Sequence, residues 1–138
     1  MRDRAQSSHY TENDMRIQKY IQAAKQEANK SSITDWRIGA VIVRGGKIIG
    51  RGHNKYSGKI EKFEKLLNVE LWSLHAEMNA ILDCNGDVEG ATLFVAGVKK
   101  NGRRVYCRPC KHCLKIIRQM PFKAVYYETK EDVEAIIF

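Results

Sequence analysis

"RPCKHC", residues 108–113, holds two cysteines three apart, Cys110 and Cys113, and "LHAEMNA", residues 74–80, holds His75 and Glu77 two apart. At a helix start, cysteines at this spacing put both sulfurs on one side of the first turn, where backbone amides and the helix dipole favour thiolate. Two thiolates there suit a shared metal, and Zn²⁺ accepts sulfur and imidazole nitrogen in a tetrahedral shell. Of the four histidines, only His75 heads a helical stretch with a glutamate two places on. If two helix starts meet, His75, Cys110 and Cys113 supply three ligands, and a fourth position left to water marks a catalytic centre. A closed structural shell would instead need Cys107 or His112 as fourth ligand, and a CxxC pair also serves redox chemistry.

Glu77 lies about 200° around an ideal helix from His75, so one metal does not readily take both side chains. A carboxylate that stays off the metal can move protons for a molecule bound there. Zinc lowers the pKa of bound water from about 15.7 to about 7, which makes hydroxide available at neutral pH. Glu77 would take the proton of that water and deliver it to a ring nitrogen and then to a departing amine. The plain alternative is a first-turn carboxylate favoured by the helix dipole.

The elements that must position these residues are legible as periods and breaks. Residues 12–30 carry Met15, Ile17, Tyr20, Ile21, Ala24 and Ala28 near a helical repeat and end in "NKSS", which predicts a first helix. "WRIGAVIV", the turn "RGG" and "KIIGRG" predict a hairpin over 36–52. From His53 to Leu71 charge and leucine mix without a clear period, which predicts a long loop with one helical turn near "EKFEKLL". A second helix is predicted over 75–85, then a strand at "ATLFVAGV" and a basic excursion, "KKNGRR". A third helix starts at Pro109, whose missing amide hydrogen suits a first turn, and ends near Met120. "KAVYYET" reads as the next strand and "KEDVEAIIF" as a short closing helix. This alternation predicts one helix-covered α/β domain over residues 1–138, without repeats or an interdomain linker.

Composition narrows the setting. The 138 residues suit one core, and the apolar runs fall far below the roughly 20 residues that span a bilayer, so no membrane partner is expected. "MRDRAQSSHYTENDM" has no apolar stretch behind its basic residues, so no secretory signal is visible and a cytoplasmic location is the default. Four cysteines, three of them between 107 and 113, then point to metal chemistry more than to disulfides. Cys84 and Cys107 read as buried apolar residues. Lysine and arginine outnumber aspartate and glutamate by 24 to 16, a net charge of +8, which admits a phosphorylated or polyanionic partner and equally a plain basic surface.

HxE followed by PCxxC is the signature of the zinc-dependent nucleobase deaminases. Here it reads His75, Ala76, Glu77, then Pro109, Cys110 and Cys113. From about residue 36 to 128 the chain resembles the cytidine deaminase-like superfamily, most closely its deoxycytidylate deaminase branch. "WRIGAVIV" with "IIGRGHN" is similar to that family's first hairpin and asparagine turn, and "KAVYY" to the strand after its third helix. The resemblance implies a three-layer α/β/α fold with a central mixed sheet of about five strands and helices on both faces. It implies zinc held by His75, Cys110 and Cys113, Glu77 as proton shuttle, Asn54 bonded to the nucleotide, and Arg37 and Tyr127 near its phosphate end. It also implies a homo-oligomer. The chain departs from the family twice: "GHNKYSGK" has His53 for the usual aromatic and lacks its proline, and "GVKKNGRRVYCR" separates strand from metal motif. The excursion brings Lys99, Lys100, Arg103, Arg104, Arg108 and Lys111 toward the site, with Arg108 beside the metal motif as a candidate substrate contact.

Hydrolytic deamination of a free deoxycytidine nucleotide, most simply dCMP to dUMP with release of ammonia, follows as the leading expectation; cytidine or dCTP are variants of it. A second is deamination of cytosine or adenine in single-stranded nucleic acid, with Trp36, Trp72, Tyr56, Phe63 and Tyr106 as candidate stacking platforms. A third is a zinc-stabilised binding module with a closed metal shell.

Overall fold

Thr11 starts the first helix, α1 (Glu12–Ala28): its hydroxyl accepts from the Asp14 amide while the Asp14 carboxylate accepts from the Thr11 amide. The computed structural model describes residues 11–56, 61–68 and 73–138. Expectations resting on residues 1–10, on Ser57, Gly58 and Lys59 of "GHNKYSGK", and on Trp72 fall outside that range. The predicted hairpin is present as β1 (Trp36–Arg44) and β2 (Lys47–His53). Gly45 and Gly46 join them at φ +60° and +76°, the left-handed backbone that a two-residue hairpin turn requires.

After α2 (Glu61–Leu67) and α3 (Ala76–Asp83) come β3 (Thr92–Lys99), α4 (Lys111–Arg118), β4 (Ala124–Glu128) and β5 (Val133–Ile137). The sheet order is β2-β1-β3-β4-β5, with β3 and β4 parallel across α4 and the other neighbours antiparallel. Alternation along the strands makes two cores. Val41, Val43, Phe94 and Ala96 pack against Tyr20, Ile21 and Ala24 of α1. On the other face Ala40, Ile42, Leu93, Val95 and Val125 pack against Met78 and Ile81 of α3 and Ile116 and Ile117 of α4. Helices cover both faces of a mixed five-stranded sheet, as the resemblance implied.

Three local expectations change. "KEDVEAIIF" is a strand, not a closing helix: Thr129 accepts from the Glu131 and Asp132 amides in a tight turn, and Val133–Ile137 then ladder onto the free edge of β4. Nine residues gain little from a helix alone, whereas β-branched Val133, Ile136 and Ile137 fit a pleated edge. "EKFEKLL" forms seven residues of helix because Phe63 and Leu67, four apart, both bury against the α3–α4 core. The third predicted helix begins two residues after Pro109, since Cys110 keeps an extended backbone and caps it.

α3 lies unusually close to β2. A Cβ on Gly52 would meet the α3 backbone at the Ala80 nitrogen and, at 2.6 Å, at the Ala76 oxygen; one on Gly50 would meet the Ala80 oxygen at 2.6 Å. Ala76 and Ala80 face these glycines, so small residues on both elements let the backbones touch. Gly52→Ala is therefore expected to lower stability by about 1–3 kcal/mol, an overpacking cost, read as a lower midpoint of urea unfolding. An unchanged midpoint would contradict the packing.

Candidate metal centre and its cavity

The chain reaching α3 is pinned before it arrives. Leu74 and Lys55 exchange two backbone hydrogen bonds of 2.8 and 3.0 Å, which fixes His75 relative to the end of β2. His75 is the N-cap of α3 (φ −74°, ψ 154°), and Cys110 is the N-cap of α4 (φ −66°, ψ 170°). The two helix starts meet. His75 Nδ1 lies 3.2 Å from Cys113 Sγ and 3.5 Å from Cys110 Sγ, and the Cys113 amide donates to Cys110 Sγ at 3.5 Å. One donor atom from each of the three residues falls within 4.8 Å of the others, the only such group of metal-ligating side chains among the described residues.

Neither residue weighed as a fourth ligand joins it. Cys107 is buried in the core, with Sγ donating to the Val105 carbonyl at 3.2 Å, and His112 is half-buried outside the cluster. Cys84, expected to be buried, is half-buried at the end of α3.

The donor chemistry fits a divalent cation. A hydrogen bond shared with Cys113, with help from His75 and the Cys113 amide, pulls the Cys110 thiol down to about 3. Cys113 moves the other way, well above its ordinary value, because its neighbour Cys110 and burial both oppose a second thiolate. His75 is raised, chiefly by its hydrogen bond to Cys110. The protein alone thus stabilises one thiolate of the pair; a cation between the sulfurs lets both ionise, and two sulfurs with one imidazole suit zinc.

Glu77 stands beside this group. The extended backbone of His75 lies outside the helix proper, so the 200° separation expected of two helical residues does not apply, and both line one cavity of about 240 Å³. Only 6% of Glu77 is exposed, and burial raises its pKa above the usual carboxylate range, although His75 and the backbone amide act in the opposite sense. Trp36, Ile38, Asn54, Tyr106, Arg108 and Cys110 are also among the cavity walls.

The substrate-binding expectations divide. Asn54 reaches the cavity, yet its carboxamide already bonds β1: Oδ1 accepts from the Ile38 amide at 2.9 Å and Nδ2 donates to the Trp36 carbonyl at 2.8 Å. Each group keeps one further site for a ligand. Arg108 lines the cavity. Tyr127 does not, but its hydroxyl accepts from Arg108 Nη1 at 3.2 Å. Arg37 is not brought to the site: Trp36 and Ile38 face the cavity, so strand alternation turns Arg37 to the α1 face of the sheet.

Of the candidate platforms, Trp36 and Tyr106 sit at the cavity mouth, 53% and 51% exposed, whereas Phe63 is buried in the core. Cys107 and Ser73 complete the wall without having been expected there. A usable signal for Cys107 was its place in "YCRPC", where the excursion must return to the metal motif.

Comparison with known proteins agrees with this arrangement. Residues 14–129 match the family described as the cytidine and deoxycytidylate deaminase zinc-binding region. The chain is 34% identical over 107 residues to ComE operon protein 2 of Bacillus subtilis, covering 72% of itself and 52% of that protein, so it spans about half of this relative's length. It is 30% identical over 112 residues to an uncharacterized deaminase encoded in the luxG 3′ region of Aliivibrio fischeri, covering 78% of itself and 69% of that protein. Its fold is similar to that of the dCMP deaminase from cyanophage S-TIM5, with a TM-score of 0.63 at 23% identity over 88% of each chain. The matched region carries His75, Glu77, Cys110 and Cys113 together, and the chain belongs to the cytidine and deoxycytidylate deaminase family of zinc-binding proteins.

Proposed function

We propose that this protein hydrolytically deaminates a free deoxycytidine nucleotide, with dCMP as substrate and dUMP and ammonia as products. One observation carries the reading: a buried glutamate with a raised pKa shares a small cavity with His75 and Cys110, two members of a three-residue zinc-ligand set that no fourth described side chain completes. A closed shell, which a purely structural zinc module needs, has no support among the described residues. Support for the substrate comes from the S-TIM5 dCMP deaminase, whose fold this chain shares and which has been crystallised with dCMP and dUMP.

In this reading His75, Cys110 and Cys113 hold zinc. When bound, zinc acidifies water and so supplies hydroxide at neutral pH. Glu77 accepts the proton released as water oxygen adds to C4, and returns it to N3 of the ring. It then takes the remaining proton from the new C4 hydroxyl and passes it to the exocyclic nitrogen; the C4–N bond breaks, ammonia leaves and the C4 oxygen becomes a carbonyl. Burial suits Glu77 to this because it raises the carboxyl's affinity for the proton that it must take up and return. Ala76 and the Ile38 wall exclude water from the base, and Asn54, held by the β1 backbone, orients the sugar. Arg108 serves the phosphate end.

A second reading has its own observation. Trp36 and Tyr106, both half exposed at the mouth, could stack bases that flank a target cytosine in a single strand, and the net charge of +8 would favour such a strand. An ammonia-release screen over deoxycytidine, dCMP, dCTP, cytidine, cytosine and single-stranded oligonucleotides separates the two. Highest kcat/KM on dCMP is the expected result; turnover confined to oligonucleotides would replace the leading proposal.

Two substitutions test the chemistry. Glu77→Ala is expected to keep one zinc per chain by metal analysis and to lose about 10²–10⁴-fold in kcat, the usual worth of a positioned acid–base group. Wild-type turnover in that variant would remove Glu77 from the mechanism. Cys110→Ser is expected to lose zinc on dialysis against a chelator that leaves the wild type loaded, and activity with it. Retained zinc there would contradict the ligand assignment.

A further inference from the structure

We propose that Arg108 reads a single phosphate group on the substrate, and that Tyr127 and Glu134 are positioning residues that hold it ready, making the site selective for a nucleoside monophosphate over its nucleoside. The proposal rests on the deaminase reading above and specifies which substrate that reading accepts.

Arg108 is the one cationic side chain among the residues lining the cavity. Arg104 and Arg44, by contrast, are already engaged. Arg104 lies 3.3 Å from the buried Glu128 carboxylate and donates to the carbonyls of Glu131 and Asp132, and Arg44 holds Asp87 at 3.0 Å. Among the described residues Arg108 forms no direct ion pair; its one side-chain partner is the neutral hydroxyl of Tyr127, at 3.2 Å. A guanidinium has five N–H donors in a planar fork, so most remain for a ligand, and a phosphate takes two of them side by side.

The hydroxyl of Tyr127 is itself oriented. Its single proton goes to Glu134 Oε1 at 3.1 Å, which leaves its lone pairs to Arg108. Tyr127 and Glu134 are directly opposite each other in the β4–β5 register, so the ladder fixes this bond. The guanidinium carbon sits 5.9 Å from the centre of the Tyr127 ring, and Tyr106 meets the same ring edge-on at 6.1 Å. Arg108 is thus steadied by a neutral group in contact and an anion one bond further away. Its charge is held in place without being neutralised by direct pairing, an arrangement with no evident purpose in packing an exposed side chain.

The test uses the zinc-loaded full chain and steady-state kinetics on dCMP and deoxycytidine, with zinc content and unfolding midpoint recorded for every variant. In R108Q the ratio of kcat/KM for dCMP to that for deoxycytidine should fall by about 10- to 100-fold, mainly through KM for dCMP, as for loss of a hydrogen bond to a charged group. Inorganic phosphate should compete with dCMP in the wild type and far less in R108Q. Y127F and E134A should each lower the same ratio by about 3- to 10-fold, and the double variant by no more than the larger single effect, because the two act as one unit. Glu134 is exposed, so E134A retains the test should Y127F misfold. An unchanged ratio in R108Q overturns the phosphate assignment. A fallen ratio in R108Q with none in E134A overturns the positioning role. A wild type that releases ammonia from neither compound overturns the functional reading itself.

Discussion

The backbone of α3 rests directly on β2, and the geometry of the centre depends on that contact. Gly50 and Gly52 have no side chains to hold the helix away, and Ala76 and Ala80 present little bulk from the other side. Asn79 adds a bond from Nδ2 to the His53 carbonyl at 3.1 Å, and the Leu74–Lys55 pair fixes the approach. The start of α3 is therefore set by the hairpin rather than by its own eight residues. The start of α4 is set separately, by the chain that must cross from β3 to the parallel strand β4. Two helix N-termini meet at one point, which concentrates positive backbone dipole where Cys110 becomes thiolate and a second sulfur waits for a cation.

Burial sorts the polar groups around that point into those that are fixed and those that can change. Asn54 has its carboxamide committed on one side to the backbone of β1, which makes it a rigid wall with spare hydrogen-bonding capacity. Arg104 is committed to Glu128, which Lys25 also pairs at 2.8 Å, so the basic excursion is fastened to α1 and the end of β4. Glu77 has no ion pair with a lysine or arginine among the described residues, and the low-dielectric surroundings raise its pKa. A carboxyl group so placed holds a proton more readily than a salt-bridged one at the surface would. The departures from the family in "GVKKNGRRVYCR" have a structural consequence of the same kind: the excursion returns through Tyr106, Cys107 and Arg108, all three of which line the cavity.

The sequence alone determined what could ligate and what could titrate. His75, Cys110 and Cys113 are the residue types zinc takes, their spacing placed them at helix starts, and the hairpin and both long core strands followed from local periodicity, which depends on neighbours in the chain. Tertiary structure decided the rest. β5 is a strand because β4, joined to it by a tight turn, offered an open edge, and α2 is a helix because a core built from later segments had room for Phe63 and Leu67. Arg37, plausible by position, faces α1 because strand alternation puts it on the far side of the sheet from Trp36 and Ile38. Glu134 carried no signal at all, since its place opposite Tyr127 exists only in the β4–β5 register. Ligand identity is a property of side-chain chemistry, which a sequence states outright; which face a side chain occupies, and what stands across from it, is fixed only when strands and helices pair and pack.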